Sequence, residues 1–196
     1  ASEVAAISAT LRRTMSKPDF LAWEDRRDGK FEFDGFGPIA MTGGTAEHSR
    51  IKVNLVSALR ARLCGGPCQV YDSDTRVAAA DALRYPDASV SCVPLPRGAT
   101  ELAEPRVVFE VLSPSTSFTD RIAKNREYRA TPSIAHYVIL EQTRPAATIH
   151  TRRGEAWETE IVSDAAVLRL PTLRIEIPLS EIYEDIAFDD DIPAEA

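Results

Sequence analysis

Two periods of hydrophobic and polar positions alternate along this chain, and the switches between them mark its elements. "TAEHSRIKVNLVSALRARL" carries Ile51, Leu55, Leu59 and Leu63, with Val56, as one apolar stripe at helical spacing. Thr45 is placed to cap that helix, and "CGGP" ends it. "RYPDASVSC" has period two: Ala88, Val90 and Cys92 fall on one face, and Ser89 and Ser91 on the other. It reads as a strand, as does "CQVYDSDTRVAAA" before it. "PRVVFEVLS" is almost continuously apolar, as expected of a central strand covered on both faces.

The remaining elements follow the same logic. "MSKPDFLAWEDRR" predicts a short helix with Ser16 as its cap, Pro18 in the first turn and Asp19 near the positive end of the dipole. "KFEFDG" and "IAMTGGT" predict a hairpin. "STSFTDRIAKNREYRA" predicts a second long helix, capped by Ser117 or Thr119 and stopped by Pro132. "IAHYVILEQ" is a buried strand, and "AATIHTRR", "AWETEIV", "AVLRL" and "LRIEI" are β-rich. "PLSEIYEDI" closes the chain as a short helix. This order predicts an α/β (α+β) domain with a mixed central sheet flanked by helices and extra C-terminal strands. The 196 residues fit one domain, with 1–15 as an N-terminal extension and 187–196 as an acidic, frayed tail.

Composition narrows the function classes. A net charge of −7 argues against a broad, sequence-blind grip on nucleic acid, though not against a local basic strip. No apolar stretch approaches the ~20 residues that span a bilayer. Cys64, Cys68 and Cys92 are too few for a disulfide framework, and "CGGPC" lacks the partners of a zinc site. Reduced thiols and a cytoplasmic location are the expectation. There is no GxGxxG, Walker pattern or GxSxG elbow to support nucleotide binding or serine hydrolysis.

Two carboxylates stand in awkward places. Asp87 opens a strand directly after a proline, which is ordinary turn chemistry. Glu110 lies between Phe109 and Val111, where a carboxylate is expensive to bury unless it is paired or binds a cation. On neighbouring strands the two could converge on one hard cation. Asp120, Lys124 and Tyr128 are spaced by four and share a helix face. Alone, that spacing reads as a solvated ion pair beside a packed tyrosine. Arg121, Arg126 and Arg129 form a local basic strip that could take phosphates or simply face solvent.

Taken in order, "PDASVSC", "VVFEVLSPST", the D-x-x-x-K-x-x-x-Y spacing and "HYVILE" resemble the PD-(D/E)XK nuclease superfamily. Within it they are most similar to the Uma2 family of bacterial restriction-endonuclease-like proteins. The resemblance runs from about Pro18 to Gln142 and implies a restriction-endonuclease-like fold and DNA phosphodiester hydrolysis with Mg²⁺ or Mn²⁺. It implies that Asp87 and Glu110 hold the metal with the backbone carbonyl of Val111, and that Lys124 supplies the lysine. Leu112 occupies the usual lysine position, a departure from the plain superfamily motif. Tyr128 and Asp120 would support Lys124. Glu32 matches an N-terminal family glutamate in a segment one residue shorter than usual. His48 matches a family histidine, although a capping or surface role suits its place in a helix's first turn equally well. A homodimer would suit a double-strand cutter. The rival from another class is a non-catalytic module, binding nucleic acid or protein on a nuclease scaffold.

Overall fold

The computed structural model describes residues 14–188, except 42, 103 and 114–116. The extension over 1–13 and the tail over 189–196 lie outside the described residues.

The chain opens with α1 (Lys17–Glu24), where Ser16 Oγ accepts from the Asp19 amide at 3.3 Å. The hairpin β1 (Phe31–Phe33) and β2 (Pro38–Ala40) follows as expected. Next comes α2 (Ala46–Leu63), capped by Thr45 through the His48 amide at 3.2 Å. Its buried stripe is Ile51, Leu55, Ala58 and Leu59.

"CQVYDSDTRVAAA" is two strands rather than one. β3 (Gln69–Asp72) ends in a turn in which Asp72 Oδ1 accepts from the Asp74 amide, and β4 (Arg76–Ala79) belongs to a different sheet. The polar run Asp72–Arg76 forms the turn that separates the apolar residues of β3 from those of β4. β5 (Ala82–Arg84) returns beside β4, and Tyr85, Pro86 and Asp87 then carry the chain back to β6 (Ala88–Ser91). Thus "RYPDASVSC" also spans two sheets.

β7 (Glu101–Leu102) is a short addition, and β8 (Pro105–Val111) is the predicted central strand. β9 (His136–Leu140), β10 (Ala146–Arg153) and β11 (Ala156–Ser163) complete a mixed six-stranded sheet of order β11-β10-β9-β8-β6-β3, in which only β8 and β9 run parallel. The smaller sheet has the order β2-β1-β5-β4-β7. β12 (Val167–Leu170) and β13 (Ile175–Pro178) form a separate ribbon before α5 (Leu179–Ile182).

The second long helix is not uniform. Residues Ser117–Thr119 (α3) are α-helical, Asp120–Lys124 form a π-helical turn, and Asn125–Ala130 (α4) are α-helical again. Thr119 is already in helical conformation and makes no capping bond, so the expected cap there is corrected.

The faces of β8 are divided cleanly. Val107, Phe109 and Val111 pack with α2 and the ribbon, whereas Val108 and Leu112 pack with Tyr128, Tyr137 and the smaller sheet's Val77 and Ala79. Glu110 shares the parity of Val108 and Leu112 and therefore faces the second layer.

The expectation of reduced thiols is also corrected. Cys68 and Cys92 are joined by a disulfide, and Cys64 is free and exposed. They follow directly on the Gln69↔Ser91 pair that ends the β3–β6 ladder, so strand register brings together cysteines that sequence spacing keeps apart. The reduced-thiol argument for a cytoplasmic location falls with it. Among the described residues no helix is long and apolar enough to cross a membrane.

Candidate metal centre

Register places the first pair of residues. Ala88 lies opposite Phe109 in the antiparallel β6–β8 ladder, so Asp87 falls one step further on, opposite Glu110. Directly opposed residues have Cβ atoms roughly 5 Å apart. Asp87 Oδ2 accepts from the Val111 amide at 2.8 Å, which fixes the carboxylate at the end of β8. His48 reaches the same place from the first turn of α2. Its Nε2 lies 3.1 Å from the Val111 carbonyl oxygen and 3.4 Å from Asp87 Oδ2. Gly44 makes room for it, since a Cβ there would sit 2.8 Å from His48 Nδ1. The hydrogen bond to Asp87 raises the pKa of His48 against the opposing effect of burial.

Glu110 is 4% exposed and takes two donors on one oxygen. Lys124 Nζ donates to its Oε1 at 2.9 Å, and the Tyr128 hydroxyl donates to the same atom at 2.8 Å. Lys124 is 5% exposed, and its ammonium also lies 3.0 Å from Asp120 Oδ1 and 3.5 Å from Glu32 Oε1. The π turn brings Asp120 and Lys124 inward together, followed by Tyr128. Neither carboxylate oxygen of Asp120 has a hydrogen bond, so proximity to Lys124 is its compensation.

Burial pushes the pKa of Glu110 well up; Asp120, Asp87 and Glu32 add to this, and Lys124 opposes it. Burial would lower Lys124, but Glu110, Glu32 and Asp120 more than reverse that, so the ammonium stays charged. Burial and Glu110 raise Tyr128, which remains a protonated donor.

A cavity of about 290 Å³ opens onto Glu32, His48, Tyr85, Asp87, Glu110, Val111 and Lys124. Ile39, Ala40 and Met41 of the β1–β2 hairpin form an apolar part of its wall. Asp87, Glu110, Val111, Lys124, Glu32 and His48 are thus brought together, with Tyr128 and Asp120 buttressing from behind. The arginine strip is not: Arg121 pairs with Glu141, Arg129 lies over Trp157, and Arg126 lines a separate cavity.

Two residues escaped the sequence reading. Arg84 donates through Nε and Nη2 to both oxygens of Glu127, each at 2.8 Å, and through Nη1 to Glu32 Oε2 at 3.0 Å. The available signal was an arginine ending the apolar strand "ALR". Its partners, however, lie 43 and 52 residues away and leave no local pattern.

The donor set suits a hard divalent cation. Two carboxylates and a backbone carbonyl present oxygen ligands at one cavity edge. Five carboxylates in and behind that edge (Glu32, Asp87, Glu110, Asp120, Glu127) face two permanent cations, Lys124 and Arg84. Among the described residues, no three His, Cys, Asp or Glu side chains form a metal site on their own. The third protein donor would therefore be the Val111 carbonyl.

This two-layered mixed sheet with a carboxylate–lysine cleft is a restriction-endonuclease-like α/β domain. It superposes with a TM-score of 0.69 on a crystal structure from Anabaena variabilis described as a "putative nuclease", at 17% identity, covering 86% of this chain and 97% of that one. A sequence model of the Uma2 family, described as "Putative restriction endonuclease", matches residues 18–180, and the chain belongs to that family. It is also similar to two uncharacterised Synechocystis proteins. To slr1290 it is 31% identical, over 89% of this chain and 94% of the relative. To sll1609 it is 27% identical, over 83% and 96%.

Proposed function

We propose that this chain is a Mg²⁺- or Mn²⁺-dependent endonuclease that hydrolyses phosphodiester bonds of DNA. The observation that carries the reading is the buried Lys124 ammonium, 2.9 Å from Glu110, beside a carboxylate directly across the sheet. Asp87, Glu110 and the Val111 carbonyl would hold the cation, which when bound polarises phosphate and makes water more acidic.

The protein's own groups have separable tasks. Lys124 offers a fixed positive charge to a phosphate oxygen that gains negative charge as the bond breaks. Tyr128 holds Glu110 from the core side, so that carboxylate cannot turn away from the cavity. His48 and the Val111 amide hold Asp87 and the Val111 carbonyl on one edge. Glu32, 3.5 Å from Lys124, can accept a proton or a hydrogen bond from water at the cavity. Ile39 and Met41, both exposed to solvent, give the cavity an apolar wall on its hairpin side.

The test pairs binding with cleavage. Wild type should bind Mn²⁺ in calorimetric titration and nick or linearise plasmid DNA. Asp87→Asn removes charge but little volume, so it should keep its circular dichroism spectrum and lose both activities. Undiminished Mn²⁺ affinity in Asp87→Asn would refute the ligand assignment. Wild type that cuts no DNA or RNA in Mg²⁺ or Mn²⁺ would favour a non-catalytic binding module.

A further inference from the structure

Arg84 is the largest fully buried side chain among the described residues, at 1% exposure, and it does not line the cavity. Burying an arginine with two carboxylates is commonly no better for stability than burying apolar residues of the same size. A guanidinium does supply directional geometry, because its planar fork fixes two partners at once. Both ends of this fork lead to Lys124.

One end reaches the helix. Glu127 lies three residues after Lys124 in the same helical stretch, and Arg84 grips both of its oxygens. The other end reaches β1. Phe33 lies opposite Leu83 in the β1–β5 pair, so Glu32 falls opposite Arg84, and Nη1 takes Glu32 Oε2 at 3.0 Å. The remaining oxygen of Glu32 accepts from the Tyr85 amide at 3.1 Å and faces Lys124. Glu110, the bonded partner of Lys124, belongs to the other sheet.

We propose that Arg84 is a positioning residue: with Glu127 it clamps the Lys124 helix and Glu32 to the smaller sheet, so that the ammonium is held on Glu110. With the clamp removed, Glu32 loses the partner on its far oxygen and can turn further toward Lys124. The helix also loses its polar anchor one turn from Lys124. The ammonium then divides its time between Glu32 and Asp120 at the expense of Glu110. The kinetic consequence rests on the nuclease reading above; the placement of the ammonium does not.

The experiment uses the charge-neutral double variant Arg84→Met/Glu127→Gln, which removes one positive and one negative charge at similar volume. With only four lysines in the chain, the ammonium resonances of ¹⁵N-lysine-labelled, metal-free protein can be assigned, that of Lys124 by its loss in Lys124→Arg. In wild type the Lys124 ammonium should give a slowly exchanging signal. In the folded double variant that signal should shift or broaden, and kcat for plasmid cleavage should fall about 10- to 100-fold with KM little changed, the scale of a misplaced group. An unchanged Lys124 signal overturns the proposal, and so does an unchanged kcat in an enzyme that cuts. If wild type cuts nothing, the nuclease reading falls alone and the resonance still decides the clamp. If the double variant does not fold, Arg84→Lys serves instead. It keeps the charge but cannot fork; with its added ammonium identified in Arg84→Lys/Lys124→Arg, the same change in the Lys124 signal is expected.

Discussion

At Lys124 one side chain answers to three carboxylates, and the distances rank them: Glu110 at 2.9 Å, Asp120 at 3.0 Å and Glu32 at 3.5 Å. The position was legible in the sequence because spacing by four puts Asp120, Lys124 and Tyr128 on one face. The solvated ion pair that such spacing usually means is excluded by burial. Lys124→Ala should retain Mn²⁺ binding and lose a factor of ~10²–10³ in cleavage rate, as expected for one well-placed cation. Lys124→Arg should not restore it, because a planar guanidinium does not fit a site built for a compact ammonium. Matched plasmid assays check both, and equal cutting by Lys124→Ala would remove the lysine from the mechanism. A second buried group controls stability rather than chemistry. His136 contacts Thr151 through Nδ1, but its Nε2 has no partner, and burial, helped by Arg153 and Arg106, pushes its pKa down to about 4. The unfolded histidine titrates near 6.5. Between those values the unfolded chain takes up a proton that the native chain refuses, so stability falls as pH drops from about 6.5 to 4. In thermal melts across that window, His136→Phe should lose less Tm than wild type; equal losses would show that other groups set the slope.

Periodicity found most elements but not how they are distributed between sheets. α1, the β1–β2 hairpin, α2 and the strands from β8 onward fall where the pattern predicts them. The β3–β4 passage holds two strands although only the polar run Asp72–Arg76 marks its turn, and the β5–β6 passage hides its change of sheet because every residue of both strands is buried. The π turn at Asp120–Lys124 was equally hidden, since nothing local distinguishes it from an α-helical turn that carries the same buried pair. The disulfide depends on register, which sequence spacing does not encode. It closes a loop with a sequence separation of 24 residues between β3 and β6, and in the chain-entropy account a loop of that size contributes about 3–4 kcal/mol. Reduction should therefore lower the Tm of wild type by about 10 °C. It should leave a Cys68→Ser/Cys92→Ser variant unmoved at its already lower Tm. Differential scanning fluorimetry with and without dithiothreitol checks this, and a wild-type Tm indifferent to reductant would mean that the β3–β6 ladder holds without its cross-link.

For the molecule as a whole, the two layers meet at the site: Asp87, Glu110 and Val111 come from the larger sheet, and Glu32 from the smaller. Lys124 comes from the helical stretch whose Tyr128 packs between the layers. The ordered motifs made this legible, because Asp87 stands directly before one strand, Glu110 near the end of its neighbour and Lys124 in the helical stretch that follows. The Arg84 network, which joins the layers, was not legible, because it consists of single residues far apart in the chain. Electrostatics set a whole-molecule expectation. The chain carries −7, and the cavity region has more carboxylates than permanent cations, so a phosphate backbone is repelled from it in the absence of metal. The arginines that could offset this are tied up elsewhere or line another cavity. A hard cation on Asp87, Glu110 and the Val111 carbonyl would offset most of that excess and would offer phosphate a ligand. Ca²⁺ takes the same kind of oxygen donors as Mg²⁺ and serves as the probe. Fluorescence anisotropy of a labelled DNA duplex at fixed ionic strength should give a Kd at least ~10-fold tighter in Ca²⁺ than in EDTA, a difference of about 1.4 kcal/mol. Holding ionic strength constant separates site occupancy from general screening. Asp87→Asn should bind DNA equally weakly in both buffers. If wild type binds DNA as tightly in EDTA as in Ca²⁺, the duplex rests on a surface away from the carboxylates, and the cavity is not where the substrate is first held.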